Sequence, residues 1–181
     1  MNKSITNIYV LVLLFFITAC QSPEARAPIS RSSGSYIKEM AQRNKALTQK
    51  EQKLIMQYIK ADSLHDYQDS KNGFWYTYDI KSELDTVTPK FGDRVFYTYS
   101  VRSFNGDTIY SAEALQPQNY LMDKETLFSG LRQGLKLMKT GEKVTFLFLS
   151  QKAYGFYGAK NKIGSNIPLI CNVSLDSIQQ Q

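Results

Sequence analysis

The chain passes through four regimes of apolar patterning, each predicting a different element. From Ile8 to Ile17 the residues are apolar or aromatic without a break, preceded by Lys3 and closed by the small residues Thr18 and Ala19. A membrane-spanning helix needs about 20 apolar residues, so this run reads as a secretory signal peptide, and residues 1–19 are expected to be removed. Residues 20–35 then lose all apolar periodicity and are rich in Pro, Ser, Ala and Gly, the composition of a flexible tether with a reach on the order of 20 Å. In residues 36–73 the period becomes helical. Thr48-Gln49-Lys50-Glu51 has the form of a capping box and is followed by Leu54, Ile55, Tyr58 and Ile59 on one face, with a weaker helix expected over Ile37 to Ala46. The apolar face of this extension requires a cover, either the C-terminal domain or a second copy of the same helix in a homodimer.

From Phe74 to Gln181 the pattern becomes that of strands. Phe74 to Ile80, Arg94 to Val101, Val144 to Leu149 and Leu169 to Leu175 are rich in aromatic and β-branched residues. Asn105-Gly106-Asp107 supplies a tight turn before Thr108-Ile109-Tyr110, and Thr140-Gly141-Glu142 turns the chain into the third run. Between them Leu127, Phe128, Leu131 and Leu135 recur at helical spacing, with a start expected near Asp123 to Thr126. The fold class predicted is α+β, an antiparallel twisted sheet wrapped on one short helix and preceded by a helical extension.

Composition narrows the chemistry. The formal charge is +6, but basic residues are scattered among acidic ones, as in Lys50-Glu51 and Lys81-Ser82-Glu83, so no basic face or stacking ladder for nucleic acid emerges. The only histidine, His65, lies outside the strand-rich region, and there is no Gly-rich phosphate loop or paired Cys and His ligand set; no cofactor and no metal are expected. Of the two cysteines, Cys20 follows Ile17-Thr18-Ala19 in a sequence that resembles the lipobox of bacterial lipoproteins, which implies that Cys20 is acylated and anchors the chain to a membrane. Cys171 is then left without an intrachain partner, so the fold rests on packing rather than on disulfides.

Six pieces, Gly92-Asp93-Arg94-Val95, Tyr99, Asn105-Gly106-Asp107-Thr108-Ile109, Leu127-Phe128-Ser129-Gly130-Leu131, Met138-Lys139-Thr140-Gly141-Glu142-Lys143 and Ala153-Tyr154-Gly155, occur in the order and spacing of FKBP-type peptidyl-prolyl isomerase domains. The resemblance covers roughly residues 88–178. With the lipobox, the helical extension and Ile163-Gly164-Ser165-Asn166-Ile167-Pro168, the chain is most similar to the gliding-motility-associated FKBP-type lipoproteins of Bacteroidota. Rotation about a peptide bond faces a barrier of about 18–20 kcal/mol, and slow Xaa-Pro isomerisation can limit folding. No bond is made or broken in that reaction, so an apolar, water-excluding cup that binds the twisted amide better than either planar form suffices.

The resemblance implies that Tyr99, Leu131 and Tyr154 carry the catalysis. Tyr99 would be a pocket wall, Leu131 the floor, and Tyr154 the donor of a hydroxyl hydrogen bond to a ligand carbonyl. Leu127 and Phe128 would form the wall leading into the helix, Ile109 part of the rim, and Ile163 an aliphatic of the loop above the pocket. Four departures reduce the aromatic surface. Ile109-Tyr110 stands where the family usually has phenylalanine then aspartate, Leu131 replaces a floor tryptophan, Gln118 an aromatic wall residue and Cys171 a phenylalanine beneath the pocket. Two functions follow: an isomerase for proline-containing exported or envelope polypeptides, or a binding and assembly module of an envelope machine such as the gliding apparatus. Gln21 after the lipidated cysteine is not an inner-membrane retention aspartate, which implies an outer-membrane anchor facing the periplasm.

Overall fold

The structure is a computed structural model that describes residues 34–83, 86–159 and 162–181. The expected signal peptide, Cys20 and the tether as far as residue 33 lie outside the described residues. The chain divides into two compact units between Glu39 and Met40, and the second, Met40–Gln181, contains the whole sheet and most of the first helix.

That helix, α1, runs without interruption over Gly34–Ala61. It begins inside the segment read as tether, and it passes straight through Thr48, so the capping box does not start a second helix. No Gly or Pro falls between Tyr36 and Ala61 to break it. The Glu51 carboxylate, which in a capping box would reach back to Thr48, instead accepts hydrogen bonds from Ser150. No helix among the described residues is long and apolar enough to cross a membrane.

The remaining elements are β1 (Gln68–Asp69), β2 (Phe74–Ile80), β3 (Arg94–Arg102), β4 (Thr108–Tyr110), α2 (Ala112–Leu115), β5 (Gln118–Leu121), α3 (Ser129–Leu135), β6 (Lys143–Phe148) and β7 (Leu169–Gln179). The strands form one antiparallel sheet in the order β1-β2-β6-β7-β3-β4, with β5 paired to β3 further along the same edge. Register shifts at Tyr78/Ile80, Phe96/Tyr97 and Val101/Arg102 mark bulges, which bend and twist a sheet around whatever it encloses.

Alternation along the strands explains why both faces are covered. On β6, Val144, Phe146 and Phe148 join the main core with Leu131 and Leu135 of α3, while Leu147 faces the other way. Leu147, Trp75, Ile170 and Leu149 form a second core with Ile55 of α1, flanked by Tyr58 and Ile59. The Ile55 face of the extension is therefore covered by its own sheet. Tyr58 adds an edge-on contact to Phe104 at 5.4 Å.

Helix α3 can lie against the inner face because two of its residues lack side chains. A Cβ on Gly130 would sit 2.6 Å from the Phe148 ring and 2.7 Å from the Lys152 carbonyl oxygen; one on Gly134 would sit 2.8 Å from the Phe146 ring. Four residues apart, the two glycines share one helical face. They rest on Phe146 and Phe148, whose rings stack 5.5 Å apart at an interplanar angle of 10°.

Candidate active site

The residues singled out in the sequence gather at one end of the inner core. Tyr99 on β3, Ile109 and Tyr110 on β4, Leu127 and Phe128 before α3, and Tyr154 are all half-buried and pack against the main core. Beneath them Leu131 and Cys171 have no exposed surface, and Ile163 has almost none. A sealed apolar layer thus carries a rim of partly exposed aromatic and aliphatic groups.

Leu127 and Phe128 reach the rim because the helix starts later than its apolar spacing suggests. Phe128 is the residue before the first turn of α3, in extended backbone at φ −64° and ψ 143°. Its ring meets Phe148 edge-on at 5.5 Å and lies 5.2 Å from the Tyr154 ring. Phe148, read in the sequence as one more strand position, is therefore the buttress behind Phe128, which in turn meets Tyr154.

Tyr154 stands between two 3-10 turns, Ser150–Lys152 and Gly155–Tyr157. Its loop is fixed on both sides. The Ala153 N–H donates to the Ser150 carbonyl at 3.0 Å, and the Asn166 N–H donates to the Gly155 carbonyl at 2.8 Å. Further on, Ala159 and Ile163 exchange backbone hydrogen bonds at 2.9 and 3.3 Å, which turns Ile163 into the core. Only glycine fits at position 158, where φ is +64° and a Cβ would lie 2.3 Å from the Ile163 carbonyl oxygen.

Beside Ile163, Lys162 crosses to the rim strand. Its ammonium donates to the Ile109 carbonyl at 3.4 Å and lies 4.9 Å from the centre of the Tyr110 ring. A cation over an aromatic face thus occupies the edge where the resemblance leads one to expect an acid. No pattern in the sequence marks Lys162 as part of the site. Gln118, on β5, directs its amide to the Leu115 and Gln116 carbonyls at 2.6 and 3.1 Å.

The electrostatics favour the neutral form of Tyr99 and Tyr154. Burial, and after it the nearby Cys171 and Tyr110, raises the Tyr154 hydroxyl above its ordinary value, while the Tyr99 hydroxyl acts in the opposite sense. Tyr99 is itself raised by burial and then by Tyr154, and Tyr97, behind it on β3, by burial first and then Tyr120. Burial pushes the Cys171 thiol up as well, so it is an inert apolar filler. What the arrangement can do is hold a neutral O–H donor over an apolar, water-poor surface. That suits a group whose carbonyl must be gripped while its bond to nitrogen loses resonance.

A family model of the FKBP-type peptidyl-prolyl cis-trans isomerases matches residues 85–176. A probable FKBP-type peptidyl-prolyl cis-trans isomerase of Haemophilus influenzae is 30% identical over 111 residues, which cover 61% of this chain and 44% of that protein. The chain therefore spans less than half the length of this curated relative. The crystal structure of a peptidyl-prolyl cis-trans isomerase from Pseudomonas syringae pv. tomato superposes with a TM-score of 0.61 at 26% identity, covering 75% of this chain and 96% of that one. The N-terminal domain of FKBP42 from Arabidopsis thaliana shares the fold at a TM-score of 0.57 and 18% identity, over 64% of this chain and 93% of that one. The matched stretch is the one that contributes β3, α3, β6, most of β7 and the loop bearing Tyr154, and by that match the chain belongs to the FKBP-type peptidyl-prolyl cis-trans isomerase family.

Proposed function

We propose that the protein is a prolyl isomerase for polypeptides folding in the cell envelope, held to the outer membrane through acylated Cys20 and facing the periplasm. The observation that carries the activity is the half-buried rim of Tyr99, Ile109, Leu127, Phe128 and Tyr154 above sealed Leu131, with the Tyr154 hydroxyl kept as a proton donor. A proline-containing segment lays its ring on the apolar surface, and Tyr154 takes the carbonyl of the bond before it. In that apolar setting the twisted amide, whose carbonyl has lost the charge separation of amide resonance, is disfavoured less than either planar form. The anchor supports the same role: a folding catalyst needing no nucleotide can work outside the cytoplasm.

A second reading is favoured by the rim itself. Tyr110 with Lys162 above it stands where the family usually has an aspartate, and the floor is a leucine, so a slow enzyme serving as a binding and assembly module of an envelope machine, the gliding apparatus included, is supported by the same residues. One experiment separates the two. A clean deletion is complemented with the wild type and with Tyr154→Phe, and both gliding and proline-limited maturation of exported proteins are scored. The isomerase reading expects Tyr154→Phe to behave like the deletion in maturation. Full complementation by Tyr154→Phe would favour the assembly module. Labelling with a radioactive fatty acid tests the anchor, which predicts incorporation that Cys20→Ser abolishes.

A further inference from the structure

Three adjoining cavities, about 490, 200 and 480 Å³, follow α1 along its length and share Leu47 and Asn166. Together they make a groove whose one wall is α1 from Met40 to Gln57 and whose other wall is formed by Ser150, Gln151, Gly155, Phe156 and Asn166 to Pro168. Its apolar surface comes from Met40, Leu47 and Leu54 on the helix and from Phe156, Ile167 and Pro168 opposite. Phe156 is 72% exposed, a large aromatic side chain left facing water. The helical wall is about 25 Å long at 1.5 Å per residue, room for roughly eight residues of extended chain.

Two properties define the occupant. The charged side chains along the groove are Arg43, Lys50, Lys53 and Glu51. Glu51 is buried and engaged by Ser150, so the groove presents cations against an apolar strip. The groove also lies close to the isomerase cup along the chain: Tyr154 and Ile163, which pack at the cup, stand two and four residues from Phe156 and Ile167, which line the groove. The tether between residues 21 and 33 offers Arg26 and Arg31 against Glu24, the wrong balance for a basic groove.

We infer that this groove is a second binding site for the client polypeptide, taking an extended apolar segment that carries acidic side chains while its proline lies in the cup. The inference rests on the isomerase reading and adds a client class to it: unfolded chains with Asp or Glu among apolar residues near a proline. Segment binding away from the reacting bond raises the local concentration of that bond at the cup.

The full chain in detergent and its Arg43→Glu/Lys50→Glu variant, altered only at exposed helix positions, are titrated with two labelled peptides. Each has about a dozen residues around one proline; one carries Asp and Glu among leucines, the other Lys at the same positions. Isomerisation of a short proline tetrapeptide, which reaches the cup alone, is measured in parallel. The acidic peptide is expected to bind the variant roughly tenfold more weakly, with tetrapeptide turnover unchanged. Equal affinity for wild type and variant, or for the acidic and basic peptides, overturns the proposal. So does a sedimenting dimer that the substitutions dissociate, which would make a second copy the occupant, or tighter peptide binding on deletion of residues 21–33, which would make it the tether. Groove-dependent binding with no tetrapeptide turnover leaves the groove standing and removes the isomerase reading. Normal turnover with no groove effect does the reverse.

Discussion

Ser150 donates both its backbone N–H and its hydroxyl to the Glu51 carboxylate, at 2.8 and 2.6 Å, between residues 99 positions apart. Both residues are buried, and Ser150 opens the turn that leads to Tyr154. The N-terminal helix is thereby fastened, at Glu51, to the loop that supplies the site's hydroxyl donor.

Glu51→Ala leaves two buried donors without a partner. The expected loss is about 2–4 kcal/mol of stability, read from the urea midpoint at unchanged slope. Glu51→Gln keeps one acceptor and is expected to lose less. Equal stability of the alanine variant and wild type would show that the helix is not fastened in this way.

Gly130 and Gly134 set the distance between α3 and the sheet. Alanine at 134 meets the edge of the Phe146 ring, which can shift; alanine at 130 also meets the Lys152 carbonyl oxygen, which is backbone. Both gain about 1 kcal/mol of helix propensity and lose more to overpacking of about 1–3 kcal/mol or above. The expected order of thermal stability is wild type, Gly134→Ala, Gly130→Ala, and circular dichroism melts would reveal a reversed order.

Much of this architecture is legible in the sequence because strand alternation and turn chemistry are local. Phe74–Ile80, Arg94–Arg102 and Lys143–Phe148 fall where aromatic and β-branched runs place them, and Gly130 and Tyr154 stand in recognisable motifs. Elements governed by distant contacts are not. Gln118–Leu121 becomes a strand through pairing with β3 despite carrying Gln and Asn, and Thr48 becomes helix interior because Glu51 is drawn to Ser150. The late start of α3, which frees Leu127 and Phe128 for the rim, follows from the rings of Phe148 and Tyr154 holding Phe128 outside the helix. Lys162 reaches the rim through a turn whose backbone pairing, Ala159 with Ile163, no periodicity announces.

The buried phenols predict the alkaline limit. Tyr78 is pushed up to about 12, by burial first and then by Glu142, and Tyr97, Tyr99 and Tyr154 move in the same direction. A folded-state value above the ordinary value of 10.0 means that stability is complete below pH 10 and is lost as pH climbs toward 12. The last portion of the phenolate absorbance, that of the buried tyrosines, is expected to appear together with the loss of circular dichroism. Between about pH 6 and 9 these phenols do not titrate, and isomerase activity should be insensitive to them. Full phenolate formation near pH 10 with the fold intact would contradict the burial.

The most direct test of the central claim is catalysis of a proline-limited refolding reaction by the full chain, measured beside Tyr154→Phe and beside Tyr157→Phe, an exposed tyrosine three residues away. Loss of one hydrogen bond that holds the bound segment by a carbonyl, about 1–2 kcal/mol, predicts that Tyr154→Phe lowers kcat/KM roughly 5- to 30-fold while Tyr157→Phe matches wild type. A folded wild-type protein that accelerates no refolding, or a Tyr154→Phe variant as fast as wild type, would contradict the account.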